Sequence, residues 1–152
     1  MSTEIRFYHL ERSTLDQALP LIVSKAYEKG HKLIIRTANT KETKRLSDAL
    51  WSFNEGSFLP HGTEKDPSSE NQPILFATEA NNQNNADVLI LTAGQALHPA
   101  DKDFALICDI FDGAQEEQLQ AARTRWKALK DKNAYTLSYF QQNERGGWEK
   151  KA

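Results

Sequence analysis

Ile5-Arg-Phe-Tyr-His-Leu-Glu-Arg-Ser-Thr-Leu15-Asp-Gln-Ala-Leu-Pro-Leu-Ile-Val-Ser-Lys-Ala-Tyr-Glu-Lys-Gly30-His-Lys-Leu-Ile-Ile-Arg36 decides the architecture of this chain. It opens on a strand-like run, Ile5 to His9. Leu15, Ala18, Leu19, Ile22, Val23 and Ala26 then recur at helical spacing, which builds one apolar stripe along a helix. Gly30 stops the pattern where a C-terminal cap belongs. Lys32-Leu-Ile-Ile-Arg36 follows as a short apolar run with no alternation, the signature of a strand covered on both faces. The three pieces make a strand-helix-strand unit.

Outward from that unit, further strand-like runs stand at Pro73 to Phe76, Asp87 to Leu91, Phe104 to Phe111 and Ala134 to Phe140. A second helix is expected after Asn39, with Glu42 three residues on to complete a capping box. It carries Leu46, Ala49 and Leu50 inward and ends near Trp51 to Phe53. A third runs from about Ala114 to Asp131, with Asp112 as its N-cap, Glu116 and Glu117 at the positive end of its dipole and cations at the other. This order predicts a single α/β domain over residues 1–140. Its central sheet is largely parallel with helices on both faces, a Rossmann-like topology without a nucleotide-binding motif. Residues 141–152 read as a flexible tail from which Trp148 can dock back. The polar stretches His61 to Gln72 and Glu79 to Asn85 read as exposed connections.

A chain of 152 residues buries roughly 68–70% of its unfolded surface and needs no disulfide or metal to hold together. Cys108, the single cysteine, sits inside an apolar run and reads as a buried small hydrophobe in a reducing compartment. No charged segment precedes an apolar signal region, and no run approaches the roughly 18 apolar residues of a membrane span, so a soluble cytoplasmic protein is expected. The net charge of -2 supplies no general field for phosphate backbones. Charge is uneven, however. From Arg123 to Lys132 five basic residues face one acid, which leaves room for a local anion site.

Motifs for chemistry are scarce. The seven glycines form neither G-x-G-x-x-G nor a P-loop. His9, His31, His61 and His98 lack metal-ligand spacing, and there is no nucleophile elbow. Asp109 and Asp112, at the end of a predicted strand, are the one pair that a nucleotide- or phosphate-handling enzyme could use with Mg²⁺. Asp112 already serves as a helix cap, and no lysine accompanies the pair. No catalytic residue, metal or cofactor is therefore expected.

Two surfaces suit protein contacts better. Between Ala49 and His61, Trp51, Phe53 and Phe58 crowd a helix end together with Pro60; they either roof the core or are gripped by a partner. On the third helix Leu119, Ala122, Trp126 and Leu129 form an apolar stripe flanked by Arg123, Lys127 and Lys130. That edge is either a solvated face with snorkelling stems or the seat of a short peptide with an apolar end and carboxylates.

Phe7-Tyr8-His9-Leu10, Arg45 to Trp51 with Ser57 to His61, the strand ending Asp109 to Phe111, and Ala122-Arg-Thr-Arg-Trp-Lys127 together resemble the chi subunit family of bacterial DNA polymerase III, over nearly the whole chain. The resemblance implies a non-catalytic clamp-loader accessory protein. It would bind the acidic C-terminal tail of the single-stranded DNA-binding protein through Arg123, Trp126 and Lys127, with Lys130 added from the helical projection. Trp126 stands where relatives carry Tyr, which keeps the aromatic platform and removes its hydroxyl. The resemblance also implies a second surface at Trp51, Phe53, Phe58 and Pro60 for the psi subunit or a repair helicase. DNA would be met only through the partner, and no membrane is involved.

Overall fold

The computed structural model describes residues 3–52, 59–79, 82–92, 97, 101 and 104–152. Among them the chain runs β1 (Glu4–Leu10), α1 (Leu15–Glu28), β2 (Leu33–Arg36), α2 (Thr40–Ser52), β3 (Gly62–Thr63), a 3-10 turn (Ser69–Asn71), β4 (Ile74–Ala77), β5 (Val88–Thr92), β6 (Leu106–Asp112), α3 (Glu116–Lys132), β7 (Thr136–Gln142) and β8 (Trp148–Lys150). The strands form one sheet in the order β3-β4-β2-β5-β6-β1-β7-β8. Every pairing is parallel except the β7–β8 hairpin.

Strand alternation divides the core into two layers. Leu33, Ile35, Ile74, Phe76, Ile90 and Ile110 meet Leu19 and Val23 of α1 and Leu46 and Leu50 of α2 on one face. Phe7, Ile34, Leu75, Leu89, Ile107 and Phe111 meet Ala122 and Leu129 of α3 on the other. This two-sided burial explains why β2, β4 and β5 lack a polar alternation in sequence: all their residues are buried. The α/β architecture with a largely parallel sheet is the one the strand-helix-strand unit predicts.

The helix ends follow local chemistry. Thr14 caps α1 in a reciprocal capping box with Gln17. At its far end Gly30 takes the left-handed conformation, φ +87°, and the His31 amide returns to the Ala26 carbonyl, closing the helix as a glycine at that place allows. The Asn39 side chain accepts the Glu42 amide at 2.9 Å at the start of α2. For α3 the expected cap is wrong. The N-cap is Gln115, because Asp112 is still the last residue of β6. The Asp112 carboxylate instead accepts the Ala114 amide at 2.9 Å, turning the chain between strand and helix as Asx side chains do.

Both polar connections are more structured than polarity suggests. Gly62 and Thr63 add an edge strand to β4, and His61 and Ser69 are buried. Asn84 is fully buried, and its amide donates to the carbonyls of Leu33 and Gln72; one polar side chain thus ties β2 to the connection before β4, and its buried N–H groups are paired. After Phe140, Gln141 and Gln142 extend β7, and Trp148–Lys150 pairs antiparallel with it. Trp148 meets Tyr8 edge-on, ring centroids 5.1 Å apart. At the carboxyl end of β2, buried Arg36 and Asp101 form a bidentate pair, both bonds at 2.8 Å.

Candidate functional site

The stripe on α3 turns inward through Ala122 and Leu129, which are buried, and through partly buried Leu119 and Trp126. Trp126 is clamped by two rings. It meets Phe7 of β1 edge-on at 5.3 Å and 87°, and Tyr139 of β7 at 5.6 Å and 88°. Edge-to-face packing of this kind adds about 0.5–1.5 kcal/mol per pair beyond area burial. The clamp fixes the rotation of α3, so Arg123, Lys127 and Lys130 stand on its exposed surface. None of the three takes part in an ion pair among the described residues.

Arg123 borders a polar cluster that sequence reasoning did not single out. His9 lies at the end of β1 with its Nδ1 2.7 Å from the Tyr139 hydroxyl, and its Nε2 is 3.4 Å from Glu11. A neutral ring with its proton on Nε2 accepts the Tyr139 O–H at Nδ1. Burial holds His9 below its ordinary range; the Glu11 carboxylate opposes that shift and the Arg123 guanidinium adds to it. Burial likewise raises Tyr139, with Arg123 pulling the other way. Gly113 makes this packing possible. A Cβ there would overlap the His9 ring and come to 2.9 Å of the Leu10 carbonyl, so only glycine fits the approach.

Arg125, counted from sequence with the free cations, points the other way. It grips Asp109 with two hydrogen bonds of 2.7 and 2.9 Å. Burial pushes Asp109 above the usual carboxylate range, and Arg125 pulls it back. Asp109 is thus a buried structural acid, and Asp112 serves the turn before α3. Among the described residues no group of three or more His, Cys, Asp or Glu could hold a metal ion. Cys108 is buried and its thiol is pushed up to about 12, although Arg6 beside it acts in the opposite direction.

The second surface is partly visible. Trp51, at the end of α2, is 49% exposed and lies 4.1 Å from the His61 ring at a tilt of 37°. His61 is fixed beneath it: Nδ1–H donates to the Leu59 carbonyl and Nε2 accepts the Ser47 hydroxyl, both at 2.8 Å. Pro60 is half-buried beside them. Phe53 and Phe58 lie outside the described residues, as does His98. The α3 edge and the Trp51 surface belong to opposite layers of the sheet. No helix among the described residues is long and apolar enough to cross a membrane.

Comparison with known proteins gives a consistent result. The family described as DNA polymerase III chi subunit, HolC, matches residues 1–137. A protein of Rickettsia prowazekii (strain Madrid E), named as a probable DNA polymerase III subunit chi, is 31% identical over 88 residues, which are 58% of this chain and 53% of that one. The chain thus spans about half the length of that relative. The DNA polymerase III subunit chi of Escherichia coli (strain K12) is 26% identical over 122 residues, 78% of this chain and 80% of that one.

Proposed function

The chain belongs to the DNA polymerase III chi subunit family, and from that premise we propose that it is a non-catalytic replisome adaptor that binds the acidic C-terminal tail of the single-stranded DNA-binding protein along α3. The observation that carries this reading is the division of labour on one helix. Trp126 is locked against Phe7 and Tyr139, while Arg123 and Lys127 remain exposed beside it. An apolar anchor on the peptide packs along the Trp126 edge, and its carboxylates take charge-assisted hydrogen bonds from Arg123 and Lys127, each contributing about 1.5–3 kcal/mol. Lys130, one turn on, extends the positive edge. Micromolar affinity, about -8 kcal/mol, suits a contact that is made and broken as a strand is copied.

Trp51 and Pro60 are proposed as the second docking surface, for the psi subunit or a repair helicase, with Phe53 and Phe58 assigned to it on sequence alone. DNA is reached through the partner, and the chain acts in the cytoplasm. Isothermal titration of the purified protein with a synthetic acidic tail peptide tests the α3 assignment. Saturable, salt-sensitive heat is expected, and it disappears in Arg123→Ala and in Lys127→Glu while the melting temperature stays the same. Unchanged heat in both variants refutes the site.

A further inference from the structure

Across the sheet from Trp126, α1 and the β7–β8 hairpin leave a groove of about 740 Å³ between them. One wall is Leu21 and Lys25 of α1 with Lys29, the residue that caps its end; Leu21 and Lys25, four apart, share one helix edge, and Lys29 continues the line. The other wall is Phe140 and Trp148, with Gly146 and Gly147 keeping it low. Ile90, Leu106 and Cys108 supply an apolar floor. Leu21 is 58% exposed and, with Trp51, is one of the two exposed large hydrophobic residues among those described. A solvent-facing leucine on the lip of an apolar trough is what an unfilled contact surface presents.

The permanently charged side chains that line the trough are cations. Arg6, Lys25, Lys29 and His31 line it, and no carboxylate does among the described residues, in a chain whose net charge is -2. Arg6 and His31 are turned to Glu4 and Asp87, whereas Lys25 and Lys29 take part in no ion pair among the described residues. We propose that this groove docks a short acidic amphipathic segment of a partner protein, its apolar side chains on the floor against Leu21 and its carboxylates against Lys25 and Lys29. Charge complementarity selects the occupant, and the apolar floor supplies its affinity. Single-stranded nucleic acid fits less well. It needs free ring faces for its bases, but Tyr8 is stacked on Phe140 at 5.5 Å and 15° and meets the edge of Trp148, so these aromatics satisfy one another.

This surface lies in the α1–α2 layer and is independent of the α3 edge. The probe is a fluorescein-labelled amphipathic peptide with Leu and Phe on one face and Glu on the other, titrated with the full chain and read by fluorescence anisotropy. With the α3 edge disabled by Arg123→Ala and Lys127→Glu in every sample, saturable, salt-sensitive binding is expected, and it is weakened by about tenfold or more when Lys25→Glu and Lys29→Glu, or Leu21→Asp, are added. These substituted residues are exposed, so a cooperative melting transition, lowered only slightly by the charge reversals at the end of α1, accompanies the loss. No binding in that background, or equal affinity after the lysine changes, overturns the proposal. So does oligothymidylate binding that the same lysine changes abolish, or a dimer in sedimentation that excludes the peptide.

Discussion

Arg125 reaches down from α3 and holds the buried Asp109 of β6 with two hydrogen bonds, at 2.7 and 2.9 Å. The acid that sequence offered to a phosphate enzyme is therefore committed to fastening a helix to the sheet. The same contact removes Arg125 from the row of cations that it joins in the linear sequence, leaving Arg123, Lys127 and Lys130 on the exposed edge.

Removing Arg125 strands an uncompensated buried carboxylate. Arg125→Ala is expected to cost about 3–5 kcal/mol. The sign of its pH dependence follows from Asp109, whose pKa burial already raises and which rises further without the guanidinium. A raised native pKa means that the folded state binds the proton more tightly than the unfolded chain. The deficit is thus full at neutral pH and shrinks as pH falls through the raised value. Thermal melts of both proteins from neutral to acid pH check it; a deficit that grows on acidification contradicts the pairing.

Gly113→Ala forces a methyl group into the His9 ring. Overpacking of this kind costs about 1–3 kcal/mol, and here it also displaces His9 from the Tyr139 hydroxyl. Chemical denaturation reads the first effect. A shift of the His9 ring resonances toward an ordinary titration reads the second, since burial is what holds that pKa down.

Trp51→Ala removes a half-exposed indole whose shown ring contact is His61. The loss of stability is expected to stay within about 1 kcal/mol, as for surface positions, while capture of the second partner is lost. A pull-down and a melt on the same preparation separate the outcomes. Early melting with capture retained assigns Trp51 to the core instead.

Trp148→Ala tests whether the hairpin is docked. The indole meets Tyr8, and β8 pairs with β7; cutting the anchor at a partly buried site should cost about 1–3 kcal/mol and speed amide exchange at Lys150 and Lys151. Equal exchange rates in both proteins would show that the Trp148 ring does not hold the hairpin.

His9 and His61 add a general trend. Burial keeps both below the usual histidine value of 6.5, so on acidification the unfolded chain takes up protons first. Stability therefore declines as pH drops below about 6.5.

The succession of the main strands and helices is legible in local sequence, whereas β3, the turn after it and β8 are not. Continuous apolar runs at Leu33 to Ile35 and Ile74 to Phe76, helical spacing from Leu15 to Ala26, and the stop at Gly30 are local signals, because backbone conformation and the side on which a residue lies depend on near neighbours. The stripe on α3 is legible for the same reason. Tertiary structure alone decided which of its cations are free. Arg123 and Arg125 differ by two positions and look alike in sequence, yet a rotation of about 200° about the helix axis sends one to solvent and the other to a carboxylate on β6. Strand order, the buried amide of Asn84, the approach of Gly113 to His9 and the docking of Trp148 on Tyr8 likewise join residues far apart in the chain, and such contacts exist only once the sheet has brought them together.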